Sequence, residues 1–349
     1  MKICIDCRLI SEKPTGISRL SYDLIRFYSD QFGNNNVICI VNKKTQLYGY
    51  NTVETQLRPF NLYHFFKFRS FVKDLSVDLL HSPFYSSLYR PLPGLLSIVT
   101  LPDLMYRFIP GFFGKSTIKN FFAKFYFDII VSLTLKSANK IISISNTTSI
   151  DLFNWLKIKS KVIYPVVEVN DLSKNLPLFA IEDFFNKHSI KRYGYFLYVG
   201  NNRPHKNLEF LVNEFVNSNS NYDLILVGHD SPQCPDSRVK AIGPVSDEML
   251  YYMYKYMACF VFTSKYEGFG LPLIEASLIG KRILASDIPV FRELENSLIS
   301  YISLDKQGHL KSLFNEFSLD GNPKFNEFLI SSSFSFKRFS TEIKSYLFG

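Results

Sequence analysis

The stretch "ACFVFTSKYEGFGLPLIEASLIGKRILAS", residues 258–286, decides the fold. Its opening apolar run reads as a strand, and the glycine-rich loop after it leads into "LPLIEASLIG", which reads as a helix. Pro272 stands where a helix-opening proline belongs, and Gly280 where a C-terminal cap belongs. "KRILAS" then reads as a second strand. Strand, helix and strand in succession make a parallel βαβ unit.

The same unit recurs along the chain. Upstream in this half, "YGYFLYVG" and "YDLILVG" read as strands, while "KNLEFLVNEFVNSN" and "SDEMLYYMYKYM" read as helices. The first half repeats the pattern with strands in "KICIDCRLI", "NNVICIVN", "DLLHSP", "LLSIVTLPDLMY" and "ANKIISISNTT". "TGISRLSYDLIRFYSDQFG" carries Ile17, Leu20, Leu24, Ile25 and Tyr28 at near-helical spacing and stops at Gly33. The alternation breaks only near "VVEVNDLSKNLPLFAIEDFF". The expected fold is therefore α/β, with two doubly wound, Rossmann-like domains: residues 1–168, a linker over 169–190, residues 191–334, and a C-terminal helix over 335–349 returning to the first domain. Ligands of such sheets bind beyond the carboxyl ends of the strands, so the space between domains is the expected binding region.

Composition agrees with a folded chain of about two domains: 349 residues, 46% hydrophobic and 20% charged. No run approaches the ~18 apolar residues of a membrane span, and "MKICIDCRLI" lacks a signal peptide's apolar segment. The expected location is the cytoplasm. Five cysteines suit a reducing compartment. Cys4 and Cys7 form a lone CxxC inside a strand, without a second pair or a suitably spaced histidine, and read as core packing. The net charge of +9 is uneven: residues 1–165 carry 21 basic against 10 acidic side chains, residues 166–349 carry 19 against 21. A basic front half suits anionic partners, but no RNP-like or helix-turn-helix pattern accompanies it, so nucleic acid is not expected.

Chemistry gathers at strand ends in the second half. "YVGNNRPHKN" places Gly200 at a strand end, then Asn201, Arg203 and Lys206 before a helix; arginine grips phosphate bidentately and lysine acts as a mobile charge. In the opening stretch, Gly268 and Gly270 leave amides to face an anion, and the helix adds its positive end. Glu267 lies before that helix and Glu275 one turn inside it. Carboxylates in an apolar segment need partners. A diphosphate at the helix start would leave one acid on either side, each accepting hydrogen bonds from hydroxyls, and a nucleotide sugar has hydroxyls on both sides of its diphosphate.

The run from Glu267 to Glu275 resembles the E-x7-E motif of the retaining GT-B glycosyltransferases of family 4, glycosyltransferase group 1. "PTGISRLSYDL", "DLLHSPFY", "TLPDLMYRFIPGFF", "KIISISNTTSIDL", "YVGNNRPHKNLEFLV", "GPVSDEMLYYMY", "GKRILASDIPVFREL" and "FSFKRFSTEIKSYL" follow in that family's order. The chain is most similar to the mannosyltransferase-like subgroup of bacterial surface-polysaccharide enzymes. The resemblance implies that Glu267 contacts the donor sugar, that Glu275 contacts the ribose, and that Lys206 with Arg203 neutralises the diphosphate. The amides of Phe269, Gly270 and Leu271 would hold sugar and phosphate. Gly16, expected in the loop after the first strand, would allow backbone approach, and Ser286 and Asp287 would line the base side. No metal or other cofactor is implied; the nucleoside diphosphate sugar is a substrate, and the acceptor would be a saccharide, lipid-pyrophosphate-linked in many relatives.

Two positions depart from the family pattern. Asn201 stands where arginine often follows the strand-end glycine. Pro102 stands before Asp103 where a histidine is usual, and proline has neither imidazole nor backbone N–H. His81 and Tyr85 are the acceptor-side candidates beside Asp103, with a structural role for His81 the simpler reading. Pro102 keeps a non-catalytic sugar-nucleotide-binding relative open; an epimerase or phosphorylase of the same architecture fits the motif set less well. "GKSTIKNFFAKFYFDIIVSL", with Lys115, Lys119 and Lys124, leaves two readings: a basic helix lying on anionic membrane, or a helix packed on the sheet with its lysines outward.

Overall fold

In the computed structural model, which describes residues 1–10, 15–42, 47–168, 176–294, 297–318 and 332–349, the chain forms two compact units. Unit 1 comprises Met1–Val166 with Phe336–Gly349, and unit 2 comprises Val167–Ser335.

Unit 1 runs β1 (Ile3–Asp6), α1 (Gly16–Phe32), β2 (Val37–Asn42), β3 (Asn51–Thr55), α2 (Leu62–Asp74), β4 (Leu79–Ser82), β5 (Leu96–Leu101), α3 (Met105–Phe108), α4 (Thr117–Ser137), β6 (Lys140–Ser143), α5 (Asn146–Leu156) and β7 (Lys161–Val162). Its seven strands are ordered β3-β2-β1-β4-β5-β6-β7, all paired parallel. Central strands β1 and β4 are buried at every position, as a parallel sheet covered on both faces requires. Cys4 and Cys7 belong to this core, and burial pushes both thiols well above their usual range.

Helix α1 starts and stops on local chemistry. The Thr15 hydroxyl accepts from the Ser18 amide at 3.1 Å, and Gly33, at φ 82°, returns its N–H to the Ser29 carbonyl. Gly16, expected in a loop, is instead the first residue of this capped helix. The last helix, here α12 (Phe336–Phe348), packs on the same unit: Lys140 Nζ donates to the Tyr346 carbonyl at 2.6 Å, and the Arg26 guanidinium lies 3.8 Å from the Phe336 ring centre.

Unit 2 runs α6 (Leu178–Lys187), β8 (Tyr195–Val199), α7 (Leu208–Val216), β9 (Asp223–Val227), β10 (Val239–Gly243), α8 (Asp247–Tyr256), β11 (Cys259–Phe262), α9 (Leu271–Leu278), β12 (Arg282–Ser286), α10 (Pro289–Arg292), β13 (Ile299–Ile302) and α11 (His309–Glu316). The sheet order is β10-β9-β8-β11-β12-β13. Residues 176–190, expected as linker, carry α6, and its Ile181 and Phe185 are buried in the core of this unit; residues 169–175 lie outside the described residues.

The nine strands expected from apolar runs are the nine interior strands of the two sheets. Among the described residues the strands not anticipated are β3, β7, β10 and β13, the edges of the two sheets. An edge strand has one neighbour and more contact with water, so it needs no continuous apolar run: β3 reads "NTVET" and is largely exposed.

One buried charge cluster stands at the end of β1. Arg8 and Asp6, 1% and 0% exposed, meet in two contacts, Nε to Oδ1 at 2.8 Å and a guanidinium nitrogen to Oδ2 at 2.6 Å. The remaining guanidinium nitrogen reaches the Leu57 carbonyl at 2.6 Å and His64 Nδ1 at 2.9 Å, and the Phe68 ring lies 4.0 Å below the group. Removing one partner strands the other charge in the interior. Arg8→Ala is expected to lower unfolding stability by about 3–5 kcal/mol, measured by denaturant titration; a loss below about 1 kcal/mol would contradict the arrangement.

Candidate functional site

Each sheet reverses strand order once, between β1 and β4 in unit 1 and between β8 and β11 in unit 2. At such a switch point, the loops leaving neighbouring strands turn to opposite faces and open a crevice beyond their carboxyl ends. In unit 2, β8 pairs with β11 in register, Phe196 opposite Cys259 and Leu197 opposite Phe260. The following loops, 61 residues apart in sequence, therefore meet.

Their meeting is stitched by backbone. The Lys265 amide donates to the His205 carbonyl at 2.7 Å, and the Thr263 hydroxyl donates to the Lys206 carbonyl at 3.3 Å. A single turn of 3-10 helix, Pro204–Lys206, then aims Lys206 across the gap. Lys206 Nζ contacts Glu267 Oε1 at 2.6 Å, and the Ser264 hydroxyl donates to the same oxygen at 2.6 Å. Glu267 is 8% exposed. Both donors use Oε1, and Oε2 has no partner among the described residues. The ammonium also lies 4.7 Å from the Phe262 ring centre.

Helix α9 begins directly after this loop. Gly270, at φ 97°, is its N-terminal cap and supplies no side-chain acceptor. A Cβ there would lie 2.7 Å from the Phe291 ring, so glycine is required by both conformation and space. The amides of Gly268, Gly270 and Leu271 have no acceptor among the described residues, and three such donors at a helix start form an anion-binding edge. Pro272 falls at the second helical position. Phe269 anchors the loop with its side chain, buried against Phe334 at 5.6 Å between ring centres.

Glu275 is 2% exposed, and the Tyr254 hydroxyl, from α8, donates to its Oε2 at 2.8 Å. Neither Tyr254 nor Ser264 stood out in the sequence. Ser264 lies three residues before Glu267, a spacing that signals a local hydrogen bond. Tyr254 sits on the buried stripe of a tyrosine-rich helix, and nothing in its neighbours marks a carboxylate partner 21 residues away.

Other expected residues divide. Arg203 is exposed at the same turn and forms no ion pair among the described residues. The Asn201 carbonyl accepts from the Tyr198 hydroxyl at 3.0 Å, and its side-chain Oδ1 is buried without a partner. Burial, with the Glu267 charge adding, raises the Tyr198 hydroxyl above its usual range. His205 is lowered to about 4, first by burial, with nearby Lys206 and Arg203 adding and Glu267 opposing, so it is neutral at pH 7. Gly200 and the strand-end Gly228 carry a packing requirement: a Cβ on Gly228 would lie 1.9 Å from the Gly200 carbonyl oxygen. Ser286 is buried, its hydroxyl donating to the Phe262 carbonyl, whereas Asp287 forms a two-point pair with Arg292 that holds its carboxyl below the usual range.

In unit 1, His81 and Asp103 use polar atoms in hydrogen bonds within the unit, and Tyr85 packs among aromatic rings. His81 is fully buried, with Nδ1 2.9 Å from the Tyr28 hydroxyl and Nε2 2.8 Å from the Thr100 hydroxyl. It is a core histidine, not an acceptor-side group. Tyr85 packs against Phe60 and Tyr106, and burial foremost, then the Asp103 charge, raises its hydroxyl. Asp103 Oδ1 accepts from the Met105 amide at 2.8 Å at the start of α3. Pro102 is buried, and its carbonyl accepts from the Thr148 hydroxyl.

Residues 180–305 match the family described as Glycosyl transferases group 1. The match covers a little over a third of the chain. The O-antigen chain mannosyltransferase RfbU of Salmonella typhimurium is 27% identical over 229 residues, covering 62% of each chain. O-antigen chain mannosyltransferase B of Escherichia coli is 23% identical over 240 residues, covering 64% of this chain and 60% of that one. The match thus spans about three fifths of the length of both relatives. Among solved structures, Anabaena HepE in complex with UDP and glucose aligns at a TM-score of 0.72 with 17% identity and 99% coverage of both chains. WaaG, a glycosyltransferase involved in lipopolysaccharide biosynthesis, aligns at 0.71 with 12% identity, covering 99% of this chain and 100% of that one. These likenesses show the fold, the two Rossmann-like parallel sheets of the GT-B class.

Two measurements check the geometry. Tyr254→Phe leaves Glu275 buried with one donor fewer and is expected to cost about 1–3 kcal/mol in the unfolding of unit 2; an unchanged transition would remove Tyr254 from its support. His64 and His81 are each lowered to about 3, in both cases chiefly by burial. The folded state then binds fewer protons than the unfolded one, so stability is complete above about pH 6.5 and falls as pH drops toward 3. Between pH 7 and pH 5 each should remove about 2 kcal/mol, read by denaturant titration at both values. In His81→Leu that difference should shrink by one histidine's share, whatever the variant's absolute stability.

Proposed function

We propose that the chain is a retaining glycosyltransferase that moves a hexose, mannose by preference, from a nucleoside diphosphate sugar to a lipid-pyrophosphate-linked saccharide in surface-polysaccharide synthesis. The group 1 domain over residues 180–305 supports the class. Relatives named as O-antigen chain mannosyltransferases support the sugar and the setting. The observation that carries the reading is the 2.6 Å contact of Lys206 with Glu267 beside the unsatisfied amides at the start of α9. That arrangement presents positive charge, N–H donors and a carboxylate within one loop cluster.

The hard step is departure of the diphosphate. As the bond from the anomeric carbon to the phosphate oxygen breaks, its electron pair moves onto phosphate. Lys206, Arg203 and the amides of Gly270 and Leu271 stabilise that charge most when it is fully developed. Protein cations thus take the part a metal ion plays elsewhere, and no cofactor enters. Glu267 accepts hydroxyl hydrogens of the sugar, and Glu275, oriented by Tyr254, accepts those of the ribose. The acceptor hydroxyl oxygen bonds to the anomeric carbon on the face the phosphate leaves, and its proton passes to the departing phosphate oxygen.

A thermal-shift screen with GDP, UDP and dTDP, followed by transfer assays with the matching sugars, tests this. One nucleotide should stabilise the protein by mass action, and Glu267→Ala and Lys206→Ala should each lower turnover on the order of a hundredfold or more. Unchanged turnover in either variant overturns the site assignment. Stabilisation without transfer would identify a non-catalytic binder, the outcome that Pro102 makes worth testing.

A further inference from the structure

Helix α4 is divided along its length. Its second half packs inward, with Val131 and Leu135 in the core beside Val99, Leu101 and Leu152. Its first half does the reverse. Ile118, Phe121, Phe122 and Phe125 are 61–70% exposed, and with Ile129 they recur at i, i+3, i+4, i+7 and i+11. That spacing places them within an arc of about 100°, the pattern a helix normally turns toward a core. Here it is turned toward solvent. The reading in which this helix packs its apolar side on the sheet and shows only lysines therefore fails for the first three turns.

A second element extends the surface. Leu62, Tyr63 and Phe66 on the first turns of α2 are 63–73% exposed. The start of α2 is fixed against the middle of α4: the Tyr126 hydroxyl donates to the Phe60 carbonyl at 2.7 Å, and the Phe60 and Phe127 rings stack at 5.1 Å. At about 150–250 Å² per large side chain and 61–70% exposure, the four ridge residues of α4 alone present on the order of 500 Å² of apolar surface, to which those of α2 add. The largest patch on an ordinary monomer is about 300–600 Å².

The charge around it is mostly positive, with Asp74, exposed at the end of α2, as an acidic exception. Lys67, Arg69 and Lys73 follow along the exposed side of α2, and Lys115 and Lys119 flank the ridge on α4. Nearby Asp128 is taken up by Arg107. Self-association through this face would bring its cations against one another, because a two-fold interface sets a patch against its own copy. Aromatic side chains ringed by lysine and arginine instead match the boundary of a bilayer carrying anionic headgroups. A cavity of about 410 Å³ lies beside the ridge, lined by Arg107, Phe113, Lys115, Phe121 and Lys124; Arg107 pairs with Asp128 and Lys124 donates to the Arg107 carbonyl, so Lys115 is the lining cation that faces it without a partner among the described residues. No helix among the described residues is long and apolar enough to cross a membrane.

We infer that the exposed face of α2 and the first half of α4 is a membrane-docking surface, inserting its aromatic ridge into an anionic leaflet while its cations hold the headgroups. The inference stands on unit 1 alone, whichever reaction the chain performs. Sedimentation of the full chain with vesicles of phosphatidylcholine, with and without phosphatidylglycerol, tests it. The chain should pellet with the anionic vesicles and be released by added salt. Phe121→Ser/Phe122→Ser/Phe125→Ser should reduce partition at least tenfold, and Lys115→Glu/Lys119→Glu should reduce it for anionic vesicles only. Both variants should keep the wild-type melting temperature, since every altered side chain is exposed. Failure to pellet with either vesicle would overturn the inference, as would a dimer in sedimentation velocity that the phenylalanine substitutions abolish.

Discussion

The parallel pairing of β8 with β11 is the constraint on which the candidate site depends. Chain order would keep Lys206 and Glu267 far apart; the sheet brings their loops together because β8 is central and the next two strands of the unit lie on its other side. Once the strands are paired in register, the Lys265 amide and the Thr263 hydroxyl find carbonyls in the turn from Pro204 to Lys206. The ion pair is then held by backbone on both sides. Its partners keep only 13% and 9% of their side-chain surface, so the contact is desolvated without being sealed, the condition under which a further anion or hydroxyl gains most from a charged neighbour.

The two units solve the same problem differently. Each places charge at the carboxyl ends of its switch-point strands, Asp6 and Arg8 at the end of β1 in unit 1, Lys206 after β8 and Glu267 after β11 in unit 2. In unit 1 the guanidinium spends its donors on Asp6, the Leu57 carbonyl and His64, and the cluster closes on itself. In unit 2 one carboxylate oxygen and three amides are left over. A closed cluster fixes a fold, and an open one has valence for a ligand.

Much of this was legible in the sequence, with limits set by physics. Interior strands announce themselves because two covered faces demand continuous apolar residues, as in "CFVF" of β11; an edge strand such as "NTVET" can be polar and still pair. Glu267 and Glu275 stood out as acids in an apolar, glycine-marked run, and Lys206 as a cation between a strand-end glycine and a helix. Tyr254 was not, because hydrogen bonding between α8 and α9 is a property of packing that no local pattern encodes. Gly16 was misplaced by one element because Thr15 caps the helix directly before it. His81, whose simpler reading was structural, is packing: Tyr28 and Thr100, distant in sequence, use both ring nitrogens.

The return of α12 to unit 1 has a consequence for how the chain is made. Unit 2 is continuous, whereas unit 1 is interrupted between Val166 and Phe336. Synthesis runs from the N-terminus, so all of unit 2 leaves the ribosome before the helix that covers Lys140, Arg26 and Phe32 exists. The domain that begins first is therefore finished last. Until then Lys140 and Arg26 lack the contacts with Tyr346 and Phe336 that the completed protein gives them.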